Sequence, residues 1–212
     1  MPGDEALQLR WSGTRRERGS TMTALPDWMA LPPEGLSAAE YEALPEEVCR
    51  RIEIVDGAIV VTPALRRSHQ RIVRRLAEEL DLAAGPGLTV DFDVDLRLRD
   101  VPLLNRRPNI VVYDSALPDE AVLRPQHCLL VVEVMSPGSV TADQTDKPAE
   151  YATAGIEHFW RIEREHQDNG RLAAFRYRLD PTTRLYAPAG VDTGKLAVSD
   201  PVELRIDFES LL

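Results

Sequence analysis

Glu133 stands inside the run LLVVEVMSPGS (129–139), among Leu129, Leu130, Val131, Val132 and Val134, the residues of a strand buried on both faces. An ionised carboxylate there loses several kcal/mol of hydration unless something compensates it, so Glu133 needs a partner. Glu53, in RRIEIVDGAIVV, and the strand that begins RRPN bring further polar ligands onto neighbouring elements. Two or three carboxylates converging in a partly buried site are natural ligands for a hard divalent cation, which would neutralise Glu133. Pairing with an arginine, or a place at the rim of the sheet, would satisfy the same group. Downstream, Asp143, Lys147 and Tyr151 recur every four residues and share one helix face, either as part of such a site or as an exposed ion pair beside a packed tyrosine.

The elements that must position these residues follow from pattern. Ser37 followed three residues later by Glu40 predicts a capping-box start to a short helix ending near Pro45. RRIEIVDGAIVV predicts a β-hairpin, because Asp56-Gly57 suits a two-residue turn with positive φ at both central positions. RRSHQRIVRRLAEELDLAA places Ile72, Val73, Leu76 and Leu80 at helical spacing and ends at Gly85-Pro86-Gly87. In LTVDFDVDLRLRD, Val90, Phe92, Val94, Leu96 and Leu98 alternate with Asp91, Asp93, Asp95, Arg97 and Arg99, which predicts one long strand with a single buried face. NIVVYD and LLVVEVM read as interior strands. VTADQTDKPAEYATAG reads as a helix with Pro148 in its first turn and Gly155 at its end. IEHFWRIE is a further strand with Trp160 in the core, and LAAFRYRL and RLYAPAG form a second hairpin across DPTT. VELRIDFESLL closes the chain as a strand or short helix.

With 43% apolar residues, a chain of 212 residues can bury the core of one α/β domain. Residues 1–21 lack any period and read as a disordered tail before a single domain over 22–212, with Met22 a candidate start. No run is long enough for a membrane helix and no apolar leader is visible, so a cytoplasmic protein is expected. Cys49 and Cys128 fit no metal spacing and read as reduced thiols. The net charge of -10 argues against a protein that coats nucleic acid by bulk electrostatics, while a local basic patch could still do so. Arg66, Arg67, Arg71, Arg74 and Arg75, with Arg106 and Arg107 beside the motif strand, either follow a phosphate backbone or form a solvated face paired with Glu78 and Glu79.

The ordered set RRPNIVVYD, LLVVEVMSPGS, then Asp143, Lys147, Tyr151 and Gly155, then HFW, resembles the Uma2 (Uma-two) family of restriction-endonuclease-like proteins within the PD-(D/E)XK nuclease superfamily. The upstream IEIVDGAIVVTPA and SHQRIV match in register, and the resemblance spans roughly residues 34–165. It implies a restriction-endonuclease-like α/β (α+β) fold, a mixed sheet flanked by helices with β-hairpin additions. It further implies a phosphodiesterase acting on DNA with Mg²⁺ or Mn²⁺. Carried over by residue, Glu53 is the upstream acidic residue, Glu133 the metal-binding glutamate and Lys147 the lysine, displaced to the helix because Met135 holds the usual position. In that reading the metal polarises the scissile phosphate and activates a water, while Lys147 orients the water or stabilises developing charge. Asp143, Tyr151 and Ser136 support the site; His69, Arg67, Arg71, Arg74 and Arg107 contact nucleic acid, with a structural or capping role for His69 equally open. Two cuts on antiparallel strands would suit a homodimer.

One position departs from that pattern. Pro108-Asn109 replaces Pro-Asp, so the expected metal set is Asn109, Glu133 and Glu53, with a neutral amide where a carboxylate is usual and a lower affinity for Mg²⁺. Asp114 lies about 16 Å further along an extended strand at roughly 3.3 Å per residue, too far to substitute. Asp91, Asp93 and Asp95 are the better-placed compensators. Two functions of different class therefore stand open: an endonuclease weakened at Asn109, and an inactive nuclease-fold module that binds nucleic acid or a protein. A plain α/β domain without cleavage activity is the third.

Overall fold

The computed structural model describes residues 35–62, 65–135, 145–164 and 171–212; the tail expected over 1–21 lies outside them. Helix α1 (Ala38–Glu42) opens with the expected capping box, the Ser37 hydroxyl accepting from the Glu40 N–H and the Glu40 carboxylate from the Ser37 N–H. A one-turn helix α2 (Glu46–Cys49) follows, which no motif announced. Strands β1 (Ile52–Val55) and β2 (Ala58–Val61) pair antiparallel. Their turn holds Asp56 at φ 51° and Gly57 at φ 81°, the conformation the expected hairpin requires. Helix α3 (Arg67–Ala83) buries Ile72, Val73, Leu76 and Leu80 and turns its charged residues outward.

The alternating run expected as one long strand is divided. β3 (Leu88–Phe92) and β4 (Leu96–Arg99) belong to different sheets, because Asp93 adopts φ 56° and turns the chain between them. The Arg107 guanidinium holds that bend through the Asp93 carbonyl and the Asp95 carboxylate. The sequence alternates across the break, but β3 is half-buried along most of its length and β4 buries both Leu96 and Arg97.

β4 pairs with β5 (Leu104–Arg106), completing a four-stranded sheet in the order β2-β1-β5-β4. β3 pairs with β6 (Ile110–Asp114) at the edge of a six-stranded sheet, which continues through β7 (Cys128–Val134), β8 (His158–Arg164), β9 (Leu172–Asp180) and β10 (Leu185–Thr193). Among the described residues only the β7–β8 pair is parallel, and helix α4 (Lys147–Ala154) lies on the connection between them. Gly155 ends α4 at φ 93°, and Pro148 sits in its first turn, as expected. β11 (Lys195–Val198), which no motif announced, pairs with β12 (Leu204–Asp207).

One face of the six-stranded sheet packs on α3 and the β11–β12 pair through Leu76, Leu80, Leu130, Val132, Trp160 and Phe208. The other packs on α4 through Val131, Tyr151, Ile156 and Phe159. Cys49 and Cys128 are free thiols. Among the described residues no helix is long and apolar enough to cross a membrane.

Candidate functional site

Alternation along β1 directs Ile52 and Ile54 into the cluster beneath α1 and turns Glu53 to the opposite face, where it is 3% exposed. β5 brings Arg106 to the same side, with Nη1 2.9 Å from Glu53 Oε2. The Arg107 backbone N–H donates to Glu53 Oε1 at 3.0 Å. In β7, Glu133 shares the α4 side of the sheet with Val131 and is 1% exposed. The first turn of α4 delivers Lys147, whose Nζ lies 3.1 Å from Glu53 Oε1 and 3.1 Å from Glu133 Oε1. One turn later the Tyr151 hydroxyl donates to Glu133 Oε1 at 2.8 Å. Glu150, between them in α4, receives two bonds from Arg106, each of 2.7 Å.

Glu133 therefore meets a lysine and a tyrosine. Burial pushes the Glu53 carboxyl up, but the Lys147 ammonium, the Arg107 amide and the Arg106 guanidinium outweigh it and hold the group below its ordinary range. Burial beside the two glutamates raises the Tyr151 hydroxyl well above its ordinary range, so it remains a donor. Burial works to lower Arg106, but Glu150 and Glu53 together raise it.

Asn109 immediately precedes β6 and faces the end of β7, where the ladder runs out at Ile110 opposite Val132. Its Oδ1 accepts from the Val134 N–H at 2.7 Å, taking the place of the missing strand carbonyl. His69 is buried, and its Nε2 lies 2.7 Å from the Val134 carbonyl oxygen, so the two side chains clamp one β7 residue from both polar groups.

The structure thus brings Glu53, Glu133, Lys147 and Tyr151 together, with Asn109 and His69 on the backbone beside them. Ser136 and Asp143 lie outside the described residues. Asp91, Asp93 and Asp95 do not join the group: Tyr113 bonds Asp91, Tyr41 and Arg107 bond Asp95, and Arg107 stands 3.6 Å from Asp93. Those contacts engage Arg107 with Asp93 and Asp95. Arg67, Arg71 and Arg74 are exposed; Arg71 reaches the Leu212 carbonyl and Arg74 pairs with Glu78. Sequence reasoning placed Arg106 in a surface basic patch, whereas it is buried between Glu53 and Glu150. The need of a buried Glu53 for a cation could have pointed to it, and Glu150 lies one helical turn from Lys147.

Among the described residues, no group of three or more His, Cys, Asp or Glu side chains is placed to hold a metal ion. Two carboxylate oxygens nevertheless converge on one cationic point, which the Lys147 ammonium takes. That donor set fits a cation shared by Glu53 and Glu133.

The model of the Uma2 family, described as "Putative restriction endonuclease", matches residues 38–209. A crystal structure described as a "putative nuclease belonging to DUF820", from Anabaena variabilis, is similar at a TM-score of 0.59 and 16% identity, covering 83% of this chain and 97% of that one. The likeness establishes the restriction-endonuclease-like fold expected from the sequence, a mixed sheet flanked by helices. No curated protein matches.

Proposed function

Because this chain belongs to the Uma2 family of restriction-endonuclease-like proteins, we propose that it is a divalent-metal-dependent endonuclease hydrolysing phosphodiester bonds in DNA. The observation that carries the reading is the convergence of Glu53 Oε1 and Glu133 Oε1, each 3.1 Å from the same Lys147 nitrogen. Glu53 and Glu133 would hold Mg²⁺ or Mn²⁺, with the Asn109 amide beside them, and such an ion polarises a phosphate and lowers the pKa of a bound water. Lys147, on a flexible stem, would donate to the attacking water or to a phosphate oxygen. Tyr151 orients Glu133, and Arg106 holds Glu53 while Glu150 holds Arg106. The DNA backbone would run along Arg67, Arg71 and Arg74, in the cytoplasm, with a homodimer where both strands are cut.

A second reading, a nuclease fold retained for binding alone, is favoured by one observation: Asn109 Oδ1 is already engaged by the Val134 N–H. An Asp at that position has a second oxygen to offer a cation, and the Asn amide nitrogen does not. Cleavage of supercoiled and single-stranded DNA with Mg²⁺ and Mn²⁺ separates the two readings, comparing the native chain, Asn109→Asp, and Asn109→Asp/Glu133→Ala. We expect weak cleavage by the native chain, an increase on Asn109→Asp and loss in the double variant. No cleavage by any of the three, with circular dichroism showing folded protein, would overturn the endonuclease reading.

A further inference from the structure

We infer that Phe92 is a stacking platform for an unpaired base, which directs this protein to single-stranded or locally opened nucleic acid. The inference rests on the nucleic-acid reading above and adds the form of strand selected.

Phe92 ends β3 and is 49% exposed, whereas Phe159 and Phe208 are each 1% exposed and Phe175 lies beneath the Arg161 guanidinium. It has the same parity as Leu88 and Val90, which pack against the α3 cluster. The ring therefore projects toward α3, but at the strand end beside the first turns of that helix, where the neighbours are arginines and not Leu76 and Leu80. Together with Leu65, Arg67, Arg71, Arg74 and Asn109, Phe92 lines a cavity of about 420 Å³.

The composition of this cavity has a chemical direction. Arg67, Arg71 and Arg74 follow one helix face at intervals of four and three residues and place three cations along one wall. Arg74 pairs with Glu78 in solvent, an association that yields readily to a phosphate. The one acidic lining residue, Asp93, has Arg107 3.6 Å away. Phe92 forms the facing apolar wall, and Asn109, whose Oδ1 accepts from the Val134 N–H, also lines the cavity. A cationic track opposite an aromatic ring is the combination that binds single strands, since every base has a π-face and the backbone supplies the charge. In a duplex the base faces are already stacked on one another, so the ring gains nothing from it.

Binding read by fluorescence anisotropy, without divalent metal so that no strand is cut, tests the assignment. The probes are a labelled twelve-nucleotide oligodeoxythymidine and a labelled twelve-base-pair duplex. The proteins are the full chain and its Phe92→Ala, Phe92→Trp and Arg71→Ala variants. Phe92→Ala should weaken single-strand binding roughly ten- to a hundredfold, the range of one lost base stack, and leave the duplex affinity where it was. Phe92→Trp should keep the single-strand affinity, and Arg71→Ala should weaken both. If Phe92→Ala changes neither probe, or both alike, while Arg71→Ala weakens both, the stacking role is overturned and the nucleic-acid reading stands. If the native chain binds neither oligonucleotide, both fall.

Discussion

The two faces of β7 are built on opposite terms. Toward α3, Leu130, Val132 and Val134 join Ile72, Leu76, Leu80 and Trp160 in a wholly apolar cluster. Toward α4, Val131 packs with Tyr151 and Phe159, and two residues further along the face becomes Glu133. There the packing partner is a set of ions: Lys147 between Glu53 and Glu133, and Arg106 between Glu53 and Glu150. A cavity in the apolar face loses contacts in proportion to the atoms removed. The charged face has no such gradation, because each member is tolerable in a low dielectric only while its partners remain.

The largest effect should come from leaving one of those charges behind. Glu133→Ala removes one carboxylate from Lys147 and the acceptor from Tyr151, and breaking a buried pair in this way costs about 3–5 kcal/mol. On the other face Leu80→Ala, at a fully buried helix position, should cost about 2–5 kcal/mol. Urea unfolding would find the two losses similar in size but different in kind. Adding Lys147→Met to Glu133→Ala should return part of the stability, since the ammonium goes while Glu53 keeps Arg106 and the Arg107 amide. A double variant no more stable than Glu133→Ala would mean that the charged face behaves as ordinary packing.

This difference also decides what could be read from the chain. The apolar face is a matter of period: Ile72, Val73, Leu76 and Leu80 announce α3, and Asp56-Gly57 and the Ser37–Glu40 box announce their turn and cap by local chemistry. Glu53, Glu133, Lys147 and Tyr151 were legible because a buried carboxylate needs partners and the resemblance supplied their order. Arg106 and Glu150 were not, since nothing in RRPN distinguishes an arginine spent on buried glutamates from one facing solvent. The division of the long strand was hidden for a similar reason. Val90 to Arg99 alternate without interruption, while the bend depends on a positive φ at Asp93 and on Arg107, which is remote in sequence. Helix α2 is a single turn and β11 is four residues, both too short for a period to develop.

A smaller effect separates the faces by pH. Glu53 is held below its ordinary range, so its contribution to stability is fully present above about pH 4.5, the ordinary glutamate value, and is lost as pH falls from there through the lowered folded value. Urea midpoints followed downward from pH 5 should therefore fall more steeply for the native chain than for Glu53→Gln, which has no proton to take up at that position. Leu80→Ala should keep the native pH dependence while starting from a lower stability. Parallel curves for the native chain and Glu53→Gln would remove the charge network from the account of the α4 face.

The smallest effect concerns the same kind of pair placed in water. Arg74 and Glu78 stand one helical turn apart on α3, with side chains 53% and 57% exposed. Solvent already hydrates both charges, so neither depends on the other as Lys147 depends on Glu133, and the pair is worth about 0.3–0.5 kcal/mol. Arg74→Ala should lower the stability read from urea unfolding by no more than that amount, and by less still as added salt screens the pair. A loss approaching that of Glu133→Ala would show that burial does not set the scale of these ion pairs, and the contrast between the faces of β7 would lose its physical basis. A negligible loss accompanied by weaker oligonucleotide binding would place Arg74 among residues kept for the ligand they meet, on the one helix that serves the apolar core with its inner side and the cationic track with its outer.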